Sequence, residues 1–243
     1  MLYLITHGKR RMTRKSLKKI LNLFPDIKDI VLTGTPFKDP REATHFIRFF
    51  QRNERECWVE TDCVLNDYGL EVCARFGAHF IIIWYGFDED KLTGCYPLIR
   101  AQYVAEHYPN SKILLRVPIV IENINKIDAT TEVLAKLARQ YPNMQVQYDV
   151  MRPKKEISHA VHKAIRETKE YIKERGYEEI IGWRGCGDML VADNTNIYPC
   201  PLLPRRNRKQ FFGNAARDKN CIGTLRRGFF REKPQCKYCE GVK

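Results

Sequence analysis

His79-Phe80-Ile81-Ile82-Ile83-Trp84 is apolar at every position after the first. A short run of this kind, bounded by turn-forming residues and rich in β-branched and aromatic side chains, reads as a strand buried on both faces. That is the condition of a central strand in a parallel sheet. Helical patterns flank it, over 67–76 before and 96–107 after, the second closed by Pro109-Asn110. The same alternation continues outward. Upstream lie a strand at 2–6 and a helix at 14–24, with Leu17, Ile20, Leu21 and Phe24 on one face and Pro25 as its stop. A strand at 27–33, the turn Gly34-Thr35-Pro36, a helix opened by Asp39-Pro40-Arg41-Glu42, and a strand at 57–61 follow. Downstream come a strand at 112–117, a helix at 127–140, a strand at 145–150 and a long helix at 157–175, closed by Gly176.

Six strand–helix units in strict succession dictate parallel strands joined by right-handed crossovers. Periodicity leaves two closures open, a doubly wound sheet and a partial barrel. Both put chemistry at the C-terminal ends of the strands. After Gly176 the alternation breaks. Residues 177–243 hold five of the nine cysteines and read as a separate small module, so the expected division is 1–176 and 177–243.

The bulk numbers narrow the class. A chain of 243 residues at 44% hydrophobic has enough apolar surface for a real core. The longest unbroken apolar stretch, Phe80 to Tyr85, is far short of a bilayer span, and no membrane partner is expected. Met1-Leu2-Tyr3-Leu4-Ile5-Thr6 has no basic segment ahead of an apolar run, which argues against a secretory leader and for a cytoplasmic protein. In that compartment cysteines are thiols or metal ligands. Cys57, Cys63, Cys73 and Cys95 are scattered singly and read as core residues. The net charge of +13 sits at the two ends. Residues 1–25 carry seven bases and no acid, and residues 201–243 carry twelve bases and three acids. Such ends point to an acidic partner, nucleic acid among them.

Cys186 and Cys200, with thirteen residues between them, and Cys236-x2-Cys239 form a four-thiolate set. A C-x2-C pair turns two sulfurs toward one centre, and a distant pair completes four-fold ligation. Metal binding can supply folding energy to a module too small to build its own core. Spacing alone leaves zinc and an iron–sulfur cluster open.

The segment from Cys186-Gly187-Asp188 to Ile197-Tyr198-Pro199-Cys200 resembles the start of the SPASM/twitch extension of radical SAM enzymes. There, a cysteine, a β-hairpin with a polar turn and a Val/Ile-Tyr-Pro-Cys ending follow one another. Phe212-Gly213-Asn214 resembles that family's Leu-Gly-Asn element. Ile30-Val31-Leu32-Thr33 resembles the second strand before the family's Gly-Gly-Glu-Pro loop, although Gly34-Thr35-Pro36 is shorter than that loop and has no carboxylate beside the proline, and Thr61-Asp62-Cys63 stands where a Thr-Asn-Gly commonly ends strand three. The resemblance implies a partial (β/α)6 barrel of parallel strands followed by a cysteine-rich module. It also implies one auxiliary 4Fe-4S cluster on Cys186, Cys200, Cys236 and Cys239, with zinc as the alternative metal. Cys221 is then an extra thiol.

The family's C-x3-C-x2-C motif is not in these residues. Thr6-His7-Gly8-Lys9-Arg10-Arg11 occupies its place, and no cysteine precedes Cys57. Reductive cleavage of S-adenosylmethionine by the family's route is therefore not expected from them. Three readings follow: an iron–sulfur protein of radical SAM ancestry acting on or binding a peptide, protein or nucleic acid; a true radical SAM enzyme with further residues upstream; and a zinc-stapled nucleic-acid-binding protein using the basic aromatic run Arg205–Phe212. No residue is named as catalytic. Arg116, at the end of the fifth strand, has two readings, a contact to a ligand carboxylate and an ordinary surface arginine, of which the second is favoured; His159 and His162 are read as surface residues of a polar helix.

Overall fold

The structure is a computed structural model, and it describes residues 1–5, 13–33, 40–61, 67–86, 96–150, 159–184, 190–193, 196–198 and 213–214. The strands are β1 (Leu2–Ile5), β2 (Asp29–Thr33), β3 (Glu56–Thr61), β4 (His79–Ile83), β5 (Ile113–Pro118), β6 (Met144–Asp149), β7 (Ile181–Arg184), β8 (Leu190–Asp193), β9 (Asn196–Tyr198) and β10 (Gly213–Asn214). The helices are α1 (Arg14–Leu23), α2 (Pro40–Gln51), α3 (Asp67–Arg75), α4 (Pro97–His107), α5 (Ile127–Gln140) and α6 (His159–Glu174). Helix follows strand as the sequence predicts, with ends moved by a residue or two, and the fold class is α/β with a partial barrel of parallel strands.

Two compact units divide the chain: Met1–Glu60 with Cys186–Cys236, and Thr61–Gly185 with Lys237–Lys243. In the first, the strand order is β10-β9-β8-β1-β2-β3, and β8, β1, β2 and β3 run parallel. Side chains alternate between the two faces of each strand. Leu2, Leu4, Ile30, Leu32, Cys57 and Val59 share one face and are all buried and apolar, as a helix-covered sheet face must be. Tyr3, Val31 and Trp58 lie in register on the other face, also buried. α1 starts because the Thr13 hydroxyl accepts a hydrogen bond from the Ser16 amide at 3.2 Å, satisfying a donor the first turn leaves open. It buries Leu17, Ile20 and Leu21 and ends just before Pro25.

The second unit has the order β4-β5-β6-β7, all parallel. Phe80, Ile82, Leu115, Val117, Val146 and Tyr148 line its helix-covered face. α5 is keyed to that face by a buried hydrogen bond of 2.7 Å between the Thr131 and Tyr148 hydroxyls. All six residues of β5 are buried, which marks it as an interior strand.

The sequence reading did not include β7. Only four residues long, with Gly182 at its second position, it lacks a pattern long enough to stand out. It lies beyond Gly176, where the alternation had been ended, and pairs in parallel with β6. Trp183 fixes it in place, with its ring 5.5 Å from that of Tyr148 and beneath the Lys169 ammonium at 5.4 Å. No helix among the described residues is long and apolar enough to cross a membrane.

Candidate functional site

Cys186, Cys200, Cys236 and Cys239 lie outside the described residues, as do Cys63, Cys95 and Cys221, and the segments Thr6–Arg11 and Gly34–Asp39. The described backbone does show the scaffold between the first two cysteines. β8 and β9 form an antiparallel hairpin with Val191 opposite Tyr198, Ala192 opposite Ile197 and Asp193 opposite Asn196. Cys186 stands four residues before β8 and Cys200 two residues after β9. The hairpin's open end, where β8 begins and β9 ends, is at the N-terminal edge of β1, with which β8 pairs in parallel. Gly213 and Asn214 form β10, opposite Ile197 and Asn196. Among the described residues no group of three or more His, Cys, Asp or Glu side chains could hold a metal ion.

Of the singly scattered cysteines, Cys57 and Cys73 are described, and both are core residues at 1% and 0% exposure. Burial pushes the Cys73 thiol up to about 12. His159 and His162 are exposed, as expected.

The C-terminal ends of the strands carry polar groups on the face opposite the helices. In the first unit the Thr33 hydroxyl, at the end of β2, donates to the Glu60 carboxylate at 2.7 Å. At the other end of the same face Trp58 Nε1 donates to Asp29 at 2.9 Å. The layer between is apolar, made of Tyr3 and Val31 with the Trp58 ring.

In the second unit Arg116 of β5 is opposite Gln147 of β6, and Gln147 is opposite Gly182 of β7. One pleat further on, Asp149 is opposite Arg184, and Arg184 Nη1 donates to Asp149 Oδ2 at 2.7 Å. Both side chains are largely shielded, at 12% and 15% exposure. Arg116 is 1% exposed, which corrects the surface reading. Sequence favours exposure for an isolated arginine because burial of that charge is costly. Here strand register puts the residue on the inner face of an interior strand. Asn123 holds the loops above this row: its amide donates to the Tyr85 and Pro118 carbonyls at 3.0 and 2.7 Å, and its oxygen accepts from the Val120 amide at 3.0 Å.

Glu60, Asp149 and Arg184 were not singled out from sequence. A signal existed: each is a charged residue at or next to the C-terminal end of a strand, the place where parallel sheets assemble ligand sites.

No protein-family model matches the sequence, and no curated protein does. Solved structures match its fold. SuiB from Streptococcus suis, in a structure bound to S-adenosylmethionine, aligns with a TM-score of 0.62 at 12% identity over 90% of this chain and 62% of that one. A second structure of SuiB gives 0.59 at 12% identity, over 90% and 64%. A domain of pyruvate-formate lyase-activating enzyme from Bacteroides vulgatus aligns over 63% of this chain at 15% identity, with a TM-score of 0.45. The chain thus spans somewhat under two thirds of the SuiB chains. The likeness is one of fold, and at that level it agrees with the radical SAM resemblance: a half-barrel of parallel strands with helices.

Proposed function

We propose that this chain is an iron–sulfur protein built on a radical-SAM-type half-barrel, with Cys186, Cys200, Cys236 and Cys239 as ligands of one auxiliary-type 4Fe-4S cluster. The observation that carries the reading is the β8–β9 hairpin, which supports the resemblance in the segment where it is most specific. The two strands fall between Cys186 and Cys200, and β10 falls on Gly213-Asn214. The donor set fits the group: four thiolates are the ligation that such clusters take. When bound, the cluster would supply electron transfer. The chain's own part is to hold two of the cysteines beside a hairpin anchored on β1.

The molecules acted on or bound are acidic macromolecules or peptides. What favours the first is the outer face of α1, where Arg14, Lys15, Lys18 and Lys19 are all exposed and no acid stands in the helix's first turn.

Purification without oxygen, followed by iron, sulfide and zinc analysis, tests the ligand assignment. A brown protein with about four irons is expected. Cys186→Ser and Cys239→Ser should lose the iron, and Cys73→Ala should keep it. A colourless protein with one zinc overturns the cluster. A gel shift of RNA and DNA should weaken steeply with salt and with charge reversal on α1.

A further inference from the structure

α4 carries apolar side chains on both of its faces. Pro97, Leu98, Ala101, Val104 and Ala105 are buried. Tyr96, Ile99 and Tyr103, spaced by three and four residues, follow one another along the outer side at 47%, 60% and 40% exposure. A surface helix normally turns its polar residues outward, and one that is apolar on both sides is normally covered on both. α3 extends this surface. Asp67, in its first turn, pairs with Arg100 Nε in the first turn of α4 at 2.9 Å, which sets the two helix starts side by side. Tyr68, next to Asp67, is 65% exposed. Among the described residues seven large hydrophobic side chains are exposed, and four of them stand on these two adjoining helices, so they form a patch rather than scattered singles. The end of the stripe is held in place: the Tyr103 and His107 rings stack at 4.3 Å, and His107 Nδ1 lies 3.0 Å from the Tyr103 carbonyl oxygen.

We propose that this face of α3 and α4 docks a second copy of the chain. Charge selects the occupant. The chain carries +13, and the outer face of α1 exposes four bases, so two such faces repel each other. The charges of α3 and α4 are instead of both signs, Asp67 with Arg100 and Glu71 with Arg75, and Glu106 stands further along α4. A nucleic acid finds no surplus of base here, whereas a face with both signs is complementary to its own image across a twofold axis. The area agrees. At roughly 200 Å² per large side chain, the exposed fractions of the four leave about 400 Å² of apolar surface, about half of the roughly 800 Å² that each partner contributes to a stable interface. The paired charges and His107 supply a polar rim to that centre. The face belongs wholly to the second unit and stands independently of which metal the cysteines hold.

The test is analytical ultracentrifugation of the full chain over a range of concentrations, purified without oxygen and kept reduced so that no thiol cross-links two copies. A reversible monomer–dimer equilibrium is expected. Ile99→Glu and Tyr68→Ser should each weaken it by at least ~30-fold, because each substitution acts twice in a symmetric contact. Both side chains are exposed, so the fold is retained, and thermal melts check that it is. Lys136→Glu, an exposed change on α5, should leave the dimer unchanged. A chain that stays monomeric at ~100 μM, or a dimer indifferent to both Ile99→Glu and Tyr68→Ser, overturns the proposal. So does a monomer whose RNA gel shift is lost in Tyr68→Ser, which would assign the face to stacked bases.

Discussion

Asp149 and Arg184 are the last residues of two neighbouring parallel strands, in register and joined at 2.7 Å. The sequence separates them by thirty-five positions. This pair fastens β7, a strand of only four residues, to the sheet at the end where ligands gather. Removing one partner leaves the other charge shielded from water. Arg184→Met should therefore cost about 3 kcal/mol in urea denaturation, and Asp149→Asn a comparable amount. The double variant should cost less than the two singles together. Additive losses would show that the pair contributes nothing as a pair.

Cys73 predicts the behaviour of the chain in alkali. Its thiol is raised from 9.0 to about 12 by burial, so the folded chain keeps a proton that the unfolded chain gives up. Its stabilising contribution is complete below pH 9 and is lost as pH rises toward 12. Burial raises the Tyr148 hydroxyl too, with the same sign. Urea midpoints should fall steadily from pH 9 upward, and Cys73→Ala should flatten that fall. Iodoacetamide at pH 8 should spare Cys57 and Cys73 in the native protein and label both in urea, as read by mass spectrometry.

Glu132 gives the opposite slope on the acid side. It accepts from the Tyr171 hydroxyl at 2.6 Å and the Tyr177 hydroxyl at 2.8 Å, and these bonds hold its carboxyl below the usual value of 4.5. A depressed folded pKa gives stability that is present above 4.5 and lost as pH falls through the lower folded value. Glu132→Gln should lower the urea midpoint at pH 7 and have a much smaller effect at pH 3. An equal effect at both would detach the carboxylate's charge from its role in joining α5 to the end of α6.

Asn123, in the chain after β5, donates to the Tyr85 carbonyl in the chain after β4 and makes two further hydrogen bonds within its own segment, to Pro118 and Val120. Asn123→Ala should cost about 2 kcal/mol and loosen both loops, seen as faster amide exchange at Val120 and Gly86. Gly86 has φ +121°, a backbone setting in which a side chain is strained even though space is available, so Gly86→Ala should destabilise as well.

Much of this could be read from the sequence. The run 79–84 and its neighbours gave the strand–helix alternation because helix and strand periods follow directly from which residues are apolar. The exposure of His159 followed from the same patterning, and the core placement of Cys73 from the burial preference of free cysteine. β7 escaped because four residues with a glycine carry too little pattern. The pairing of β8 with β1 escaped because parallel pairing joins segments far apart in sequence, and local signal does not record it.

The sequence by itself therefore determined the class of fold, since periodicity is a property of residue types. Which side chains share a face was decided by tertiary structure alone. Arg116, Gln147 and Arg184 became one group, and Arg116 a buried residue, only because strand register sets side-chain direction, and register is fixed by packing across the sheet.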